Sequence, residues 1–335
     1  MLDKQTTIKD IAALVGVSNT TVSAVLGAST AGHVRVSAAT RQRILDAAAQ
    51  MRYRPNRAAR ALRCQTTNVI GVYAPKGRLN PYVTFTSQII GGLHQGCDAQ
   101  QKDLLLHNSY PDRSAEEIYG ELADGRIDGL ILYTHSKDPL TQRLISSSLP
   151  VVCIVDALPG IPAVTADDAG GSRLLARYLS ERGHERLFYH GTRPYLTSAA
   201  RRLEAFQGEA KRCGMDISHY SPLERHEDLR QDDVKWLDLP RDQRPTAGVC
   251  WNDLAAYRLL ELCRERQISV PADFAVVGFD DIQPPHANPL RLTTIHAPWL
   301  DVARTAIELL VRRINGEEIP AETILPVTFA PGDTA

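Results

Sequence analysis

Near the start of the chain, apolar residues recur at helical spacing: Ile8, Ile11, Ala12 and Val15, then Val22, Val25 and Leu26, then Ile44, Leu45, Ala48 and Met51. Each run has a start signal. Thr7 stands three residues before Asp10 in a capping-box pattern, Ser18 opens the second run, and Ser37 the third. Gly16 stops the first helix, so only Gly16-Val17-Ser18 separates it from the second. Two helices joined by a short glycine turn form a helix-turn-helix, whose second helix can enter a major groove. A small helical bundle with no nucleic-acid role fits these residues equally well.

From Val69 onward the pattern becomes an alternation. Apolar runs at 69–74, 103–107, 127–133 and 151–155 predict strands, separated by amphipathic stretches around 85–100, 114–124 and 139–147. A second set follows: helix near 169–182, strand 186–190, helix near 198–212, strand 247–251, helix near 253–266, strand 274–278. Alternation of this kind argues for α/β architecture, with parallel sheets covered by helices on both faces. Two sets imply two lobes.

Charge divides the chain the same way. The chain of 335 residues has a net charge of −1, yet residues 1–63 carry ten Lys/Arg against three acids, +7, leaving −8 on the rest. A basic head on an acidic body suggests a polyanion partner for the head alone. The six cysteines form no CxxC pair, which predicts neither zinc site nor disulfide framework, and no cofactor is expected. The polar segment 1–10 lacks a signal-peptide core, and no apolar run is long enough to span a membrane, so a cytoplasmic protein is expected.

One further segment bears on the head. Tyr53-Arg54-Pro55-Asn56 precedes an Ala/Arg stretch, 57–63, that can form a helix and has Leu62 as its one large apolar residue. Together with Thr7 to Ala12, Gly16-Val17-Ser18, Thr21-Val22-Ser23 and Val36 to Arg41, it resembles the LacI/GalR family of transcriptional regulators, and the resemblance extends to about residue 330. The family implies three parts: a helix-turn-helix domain at 1–55, a hinge helix and linker at 56–66, and an effector-binding and dimerisation body at 67–335. That body is a doubly wound, periplasmic-binding-protein-like pair of lobes, the first about 67–165 plus 296–318, the second about 166–292 plus 319–331.

Roles also follow from the resemblance. Asn19 and Thr20 match major-groove reading positions; Thr7, Ser18, Thr21 and Ser23 support the helix or meet phosphates. Asn56, Arg57, Ala59, Arg60, Leu62 and Arg63 match the minor-groove hinge, with Leu62 as the wedge that opens a base step. Two departures bear on the operator: Ala24 stands where relatives usually carry arginine, and the loop Ala28 to Val36 is longer.

In open α/β sheets, ligands sit beyond the carboxyl ends of strands. Asp156, Asn252 and Asp280 occupy such ends, although each fits a strand-end turn residue as well. The resemblance makes all three effector positions and adds Arg202, which otherwise reads as a surface helix charge. Tyr82, Phe85, Trp251 and Tyr133 are aromatic candidates for a sugar face or purine ring, with core packing as the alternative. Ala205 and Arg258 replace glycines common in relatives. No catalytic motif is present. The expected function is a homodimeric, non-enzymatic repressor of a palindromic double-stranded operator, modulated by a small carbohydrate-like effector. A solute-binding protein would fit the body without the head, and a nucleotide enzyme would need the GxGxxG that the first strand lacks.

Overall fold

The computed structural model describes residues 6–26, 35–54, 66–80, 82–108, 112–191, 195–222, 229–284 and 289–335. Its internal contacts divide the chain after Thr67 into two compact units.

The first unit contains α1 (Ile8–Val15), α2 (Asn19–Leu26) and α3 (Ala38–Gln50). The capping box forms: the Thr7 backbone and hydroxyl donate to Asp10 Oδ2 at 2.8 and 2.7 Å, and Thr7 accepts from the Asp10 N–H. Gly16 ends α1 at φ +71°, a left-handed conformation that costs glycine little, and its N–H closes onto Ala12. Ser18 Oγ accepts from the Thr21 N–H at 3.1 Å and starts α2. Ile11, Ala12, Val15, Val22, Ile44, Ala47 and Ala48 form the core. Leu45 does not join it. Ile44, Ala47 and Ala48 set the inward face of α3, and Leu45, about 100° further round, is 40% exposed.

The second unit begins with β1 (Val69–Tyr73), α4 (Thr84–Ala99), β2 (Asp103–His107), α5 (Ala115–Leu122), β3 (Gly129–Leu132), α6 (Pro139–Ile145), β4 (Val151–Ile154) and β5 (Ala163–Ala166). It continues with α7 (Asp168–Glu181), β6 (Arg186–Gly191), α8 (Thr197–Arg212), β7 (Asp216–Pro222), a 3₁₀ segment (Gln231–Asp238), β8 (Ala247–Cys250), α9 (Asp253–Glu265) and β9 (Ala275–Val277). The last elements are β10 (Thr294–His296), α10 (Trp299–Ile314), β11 (Glu322–Leu325) and β12 (Thr328–Ala330).

Two parallel sheets define two lobes: β11-β5-β4-β3-β1-β2 in the first and β7-β6-β8-β9 in the second. Alternate residues of each central strand enter opposite cores, as period-two geometry requires. Ile131 joins one cluster while Leu130 and Leu132 join another; Tyr189 and Phe188 divide similarly. Helices on both faces bury these strands, and α10 lies so close to α4 that a Cβ on Gly92 would stand 2.1 Å from the Leu300 carbonyl oxygen.

One boundary differs from expectation. Residues 319–331 were assigned to the second lobe, but β11 pairs with β5 as the edge of the first sheet, Glu322 opposite Ala163. Only β12 continues onward, pairing antiparallel with β10. A four-residue edge strand of Glu, Thr, Ile and Leu carries no lobe label, so pattern alone could not place it. Short strands β5, β7, β10, β11 and β12 were likewise not read from the sequence.

Candidate functional site: a polar cavity between the lobes

In the first unit, Thr7, Ser18, Asn19 and Thr20 are exposed, while Thr21 and Ser23 are half-buried on α2. Serine and threonine here hold the turn locally, leaving Asn19 and Thr20 as the outward polar residues at the start of α2. Asn56, Arg57, Ala59, Arg60, Leu62 and Arg63 lie outside the described residues, as does most of the loop 28–36.

In the second unit, a cavity of about 270 Å³ opens between the carboxyl ends of the two sheets. Gly77, Arg78, Asn80, Phe85, Thr86, Tyr133, Asp156 and Trp299 line it from the first lobe; Ser198, Arg202, Trp251, Asn252 and Asp280 line it from the second. Seven of the eight residues named as effector candidates are thus brought together. Tyr82 is not: the Asn80 side chain accepts from the Tyr82 N–H at 3.1 Å, turning the chain so that Tyr82 is 92% exposed. Ala205 and Arg258 also stay off the cavity wall; Arg258 pairs with Glu261 and Glu265.

Arg202 is no surface charge. It is 3% exposed, its Nε donates to Asp168 Oδ1 at 2.8 Å, and its Nη1 donates to the Trp251 carbonyl at 2.7 Å and Asp280 Oδ1 at 3.3 Å. Its guanidinium carbon stands 3.7 Å from the centroid of the Phe279 ring. Burial pushes the Asp168 carboxyl up to about 6 despite the Arg202 charge that opposes the shift. Burial also raises Asp280 and its neighbour Asp253, which repel each other.

Asp253 completes this polar floor. It accepts from the Ile282 N–H at 2.9 Å and the Thr294 hydroxyl at 2.5 Å, linking α9 to the segments around β9 and β10. Asp280 itself has φ +121°, a conformation uncommon outside glycine and a sign of local strain at the cavity. Opposite, Asp156 Oδ1 accepts from the Ser198 N–H and hydroxyl at 2.9 and 2.8 Å. Asn252 caps α9 by accepting from the Ala255 N–H at 2.9 Å. Phe85 stands edge-on to Trp299 with centroids 5.1 Å apart, and Arg78 lies over Tyr133 at 5.0 Å.

Sequence reasoning missed Arg78, Ser198, Trp299, Asp168 and Asp253. The Asp167-Asp168 pair directly precedes the helix expected near 169–182, where an acidic residue ordinarily serves as a cap. Asp167 does cap α7, accepting from the Gly170 N–H, whereas Asp168 turns inward to Arg202.

This cavity can bind a compact ligand that combines an apolar face with hydroxyl groups, since both lobes contribute aromatic rings and carboxylate or amide acceptors to its wall. Among the described residues, no group of His, Cys, Asp and Glu could hold a metal ion. No helix among them is long and apolar enough to cross a membrane.

Comparison with known proteins agrees with both units. Residues 7–56 match the model of bacterial regulatory proteins of the lacI family, and residues 176–335 match a periplasmic binding protein-like domain. An HTH-type transcriptional repressor PurR of Photobacterium profundum is 30% identical over 317 residues, covering 92% of each chain. That of Vibrio cholerae is 29% identical over 332 residues, covering 93% of this chain and 92% of its own. Among solved structures, a lac repressor dimer bound to operator and an anti-inducer superposes with TM-score 0.81 at 23% identity over 99% of both chains, a likeness of fold. A complex of the transcriptional regulator CelR with cellobiose gives TM-score 0.70 at 26% identity over 99% of this chain and 100% of that one. The chain therefore belongs to the LacI family: it is a DNA-binding transcriptional regulator with a helix-turn-helix head and an effector-responsive, two-lobed body.

Proposed function

We propose that this regulator is a homodimeric repressor of a palindromic operator, released or recruited by an uncharged carbohydrate bound in the cavity. The observation that carries the effector class is the state of Arg202. Its charge is matched by two buried carboxylates, Asp168 and Asp280, so the deep end of the cavity offers no net positive charge for a sugar acid or sugar phosphate. Asp156 and Asp280 can accept from hydroxyls, Asn252 can donate, and Phe85, Trp251 and Trp299 can cover a C–H face. The cellobiose complex of CelR is consistent with that chemistry.

For the head, Asn19 and Thr20 are assigned to base edges, with Thr7, Ser18, Thr21 and Ser23 supporting the helix or contacting phosphate. Asn56, Arg57, Ala59, Arg60, Leu62 and Arg63 are assigned to a minor-groove hinge. A palindromic site matches a two-fold protein dimer.

The test has two stages. The full chain first selects its operator from random DNA, and binding should weaken steeply as salt rises, by counterion release. Neutral sugars, then sugar phosphates, then purines are next titrated by calorimetry with and without that operator. A neutral sugar should bind and shift operator affinity by about 5- to 150-fold. Modulation by a phosphate or a purine alone would overturn the carbohydrate assignment while leaving the regulator intact.

A further inference from the structure

Two successive residues of α8 face different ways. Arg202 enters the cavity, while Arg201, about 100° round the helix, leaves the second lobe and meets Glu322 on β11 of the first. The Arg201 guanidinium grips this carboxylate with both terminal nitrogens: Nη2 donates to Oε2 at 2.9 Å, and Nη1 donates to Oε1. Thr165 on β5 donates its hydroxyl to the same Oε1 at 2.9 Å and holds the carboxylate in place. The fork geometry is the directional form of an ion pair. Both partners are largely shielded, Arg201 at 34% and Glu322 at 25% side-chain exposure, so solvent screens the pair less than an open surface pair. Neither residue lines the cavity.

We infer that the Arg201–Glu322 pair is an interlobe clasp, which holds the cavity closed when no effector is bound. Its position gives it leverage. Thr165 is the last residue but one of β5, which leads into α7, and Glu322 opens β11, which leads into β12, so the pair sits on two of the strands that run toward the crossovers between the lobes. Separating the lobes on this face pulls α8 from β11 and breaks both charged hydrogen bonds. Contacts from the same segment whose donors are uncharged share the load: the Thr197 hydroxyl donates to the Ala157 carbonyl at 2.8 Å, Ser198 donates to the Asp156 carboxylate, and the Ser136 hydroxyl donates to the Tyr195 carbonyl at 3.2 Å. Those bonds are short-range and uncharged at the donor. The clasp adds a cation paired with an anion, and neither residue lines the cavity. Lobe closure is thereby stabilised by the chain itself, and the effector acts on an equilibrium already biased toward closure.

Trp251 and Trp299 line the cavity from opposite lobes, which provides a readout needing neither effector nor DNA. The third tryptophan, Trp236, lies in a second-lobe core and is removed by Trp236→Phe in the full-length background. Acrylamide quenching is then measured for that protein, for Arg201→Glu, for Glu322→Arg and for the double exchange. Each single exchange should raise the quenching constant by about twofold as open states gain population, and the double exchange should restore it, as a pairwise coupling requires. Circular dichroism and the melting midpoint establish that each variant is folded. If a single exchange does not fold, Glu322→Gln keeps the side-chain length and Thr165 contact, and it should still raise quenching. Unchanged quenching in folded single variants would overturn the clasp, as would a rise the double exchange fails to reverse. Because no effector enters the experiment, its failure would leave the proposed ligand class standing.

Discussion

The head and the body use polar residues in opposite ways. On the head, the hydroxyls and amides of Thr7, Ser18, Asn19 and Thr20 stand exposed around a core made only of aliphatic side chains. In the body, Asp168, Arg202, Asp253 and Asp280 are buried at the junction of the lobes, where each must be paired within the protein. A surface that reads DNA is free to keep its charges hydrated until it binds. A cavity that binds a small molecule must aim its polar groups beforehand, and desolvation makes an unpaired group there costly. The comparison implies that equivalent truncations should cost folding in the body and only local order in the head.

Arg202→Ala is the strongest way to break that comparison. It leaves two buried carboxylates facing each other without a cation, and loss of one partner from a buried pair costs about 3–5 kcal/mol. Denaturant unfolding of the full chain should show a body transition lowered by that amount, with effector binding lost as well. The deficit should shrink in acid, where Asp168 and Asp280 can take up protons. A variant as stable as the parent would mean that the cavity tolerates unpaired charge, and the contrast with the head would fail.

The second effect is a pH dependence with an unusual sign. Burial raises the Asp168 carboxyl from 3.8 to about 6, so the native state holds this proton more tightly than the unfolded state. The resulting stabilisation is complete below about pH 4 and fades as pH rises through about 6. Asp253 and Asp280, raised by burial, extend the window upward. Acid-driven repulsion elsewhere is absent from a comparison between two proteins that differ at one position, so the difference in unfolding free energy between parent and Asp168→Asn isolates the group. Relative to the parent, Asp168→Asn should flatten the fall in stability across that window. An identical pH slope in both proteins would show that Asp168 is ionised throughout.

This contrast also explains what could be read before the fold was known. The head was legible because its determinants are local: Thr7 with Asp10, Gly16 at its turn and Ser18 with Thr21 are each within three or four residues of their partners. The central parallel strands were legible for the same reason, through short apolar runs. By contrast, Arg202 meets Asp168 across 34 residues and Asp280 across 78. No spacing rule joins those three, and only the family resemblance marked Arg202. Tyr82 shows the reverse error: an aromatic residue close in sequence to cavity-lining Asn80 and Phe85 stays exposed. The edge strand β11 escaped because pairing with β5, not its own composition, makes it a strand.

Asn252 offers the finest test because it belongs to both kinds of region at once. Its side-chain oxygen caps α9 through the Ala255 N–H, much as Thr7 caps α1, yet the same side chain lines the cavity. Thr7→Ala and Asn252→Ala should each cost about 1 kcal/mol of stability, the usual value of an N-cap. Asn252→Asp retains a capping oxygen and places negative charge at a helix N-terminus, which is favourable. The nearby Asp253 and Asp280 work against it, and a net change within about 0.5 kcal/mol is expected. Binding separates the roles. Asn252→Asp replaces the amide N–H₂ with an acceptor, so, on the proposed carbohydrate reading, the effector should bind at least about fivefold more weakly, the loss of one modest hydrogen bond. Thr7→Ala should leave that binding constant unchanged. Melting curves and calorimetry on the three variants give both quantities from one preparation of each. If Asn252→Asp binds the sugar like the parent, Asn252 is a cap and nothing more, and the division between local order and ligand recognition runs deeper into the cavity than its lining suggests.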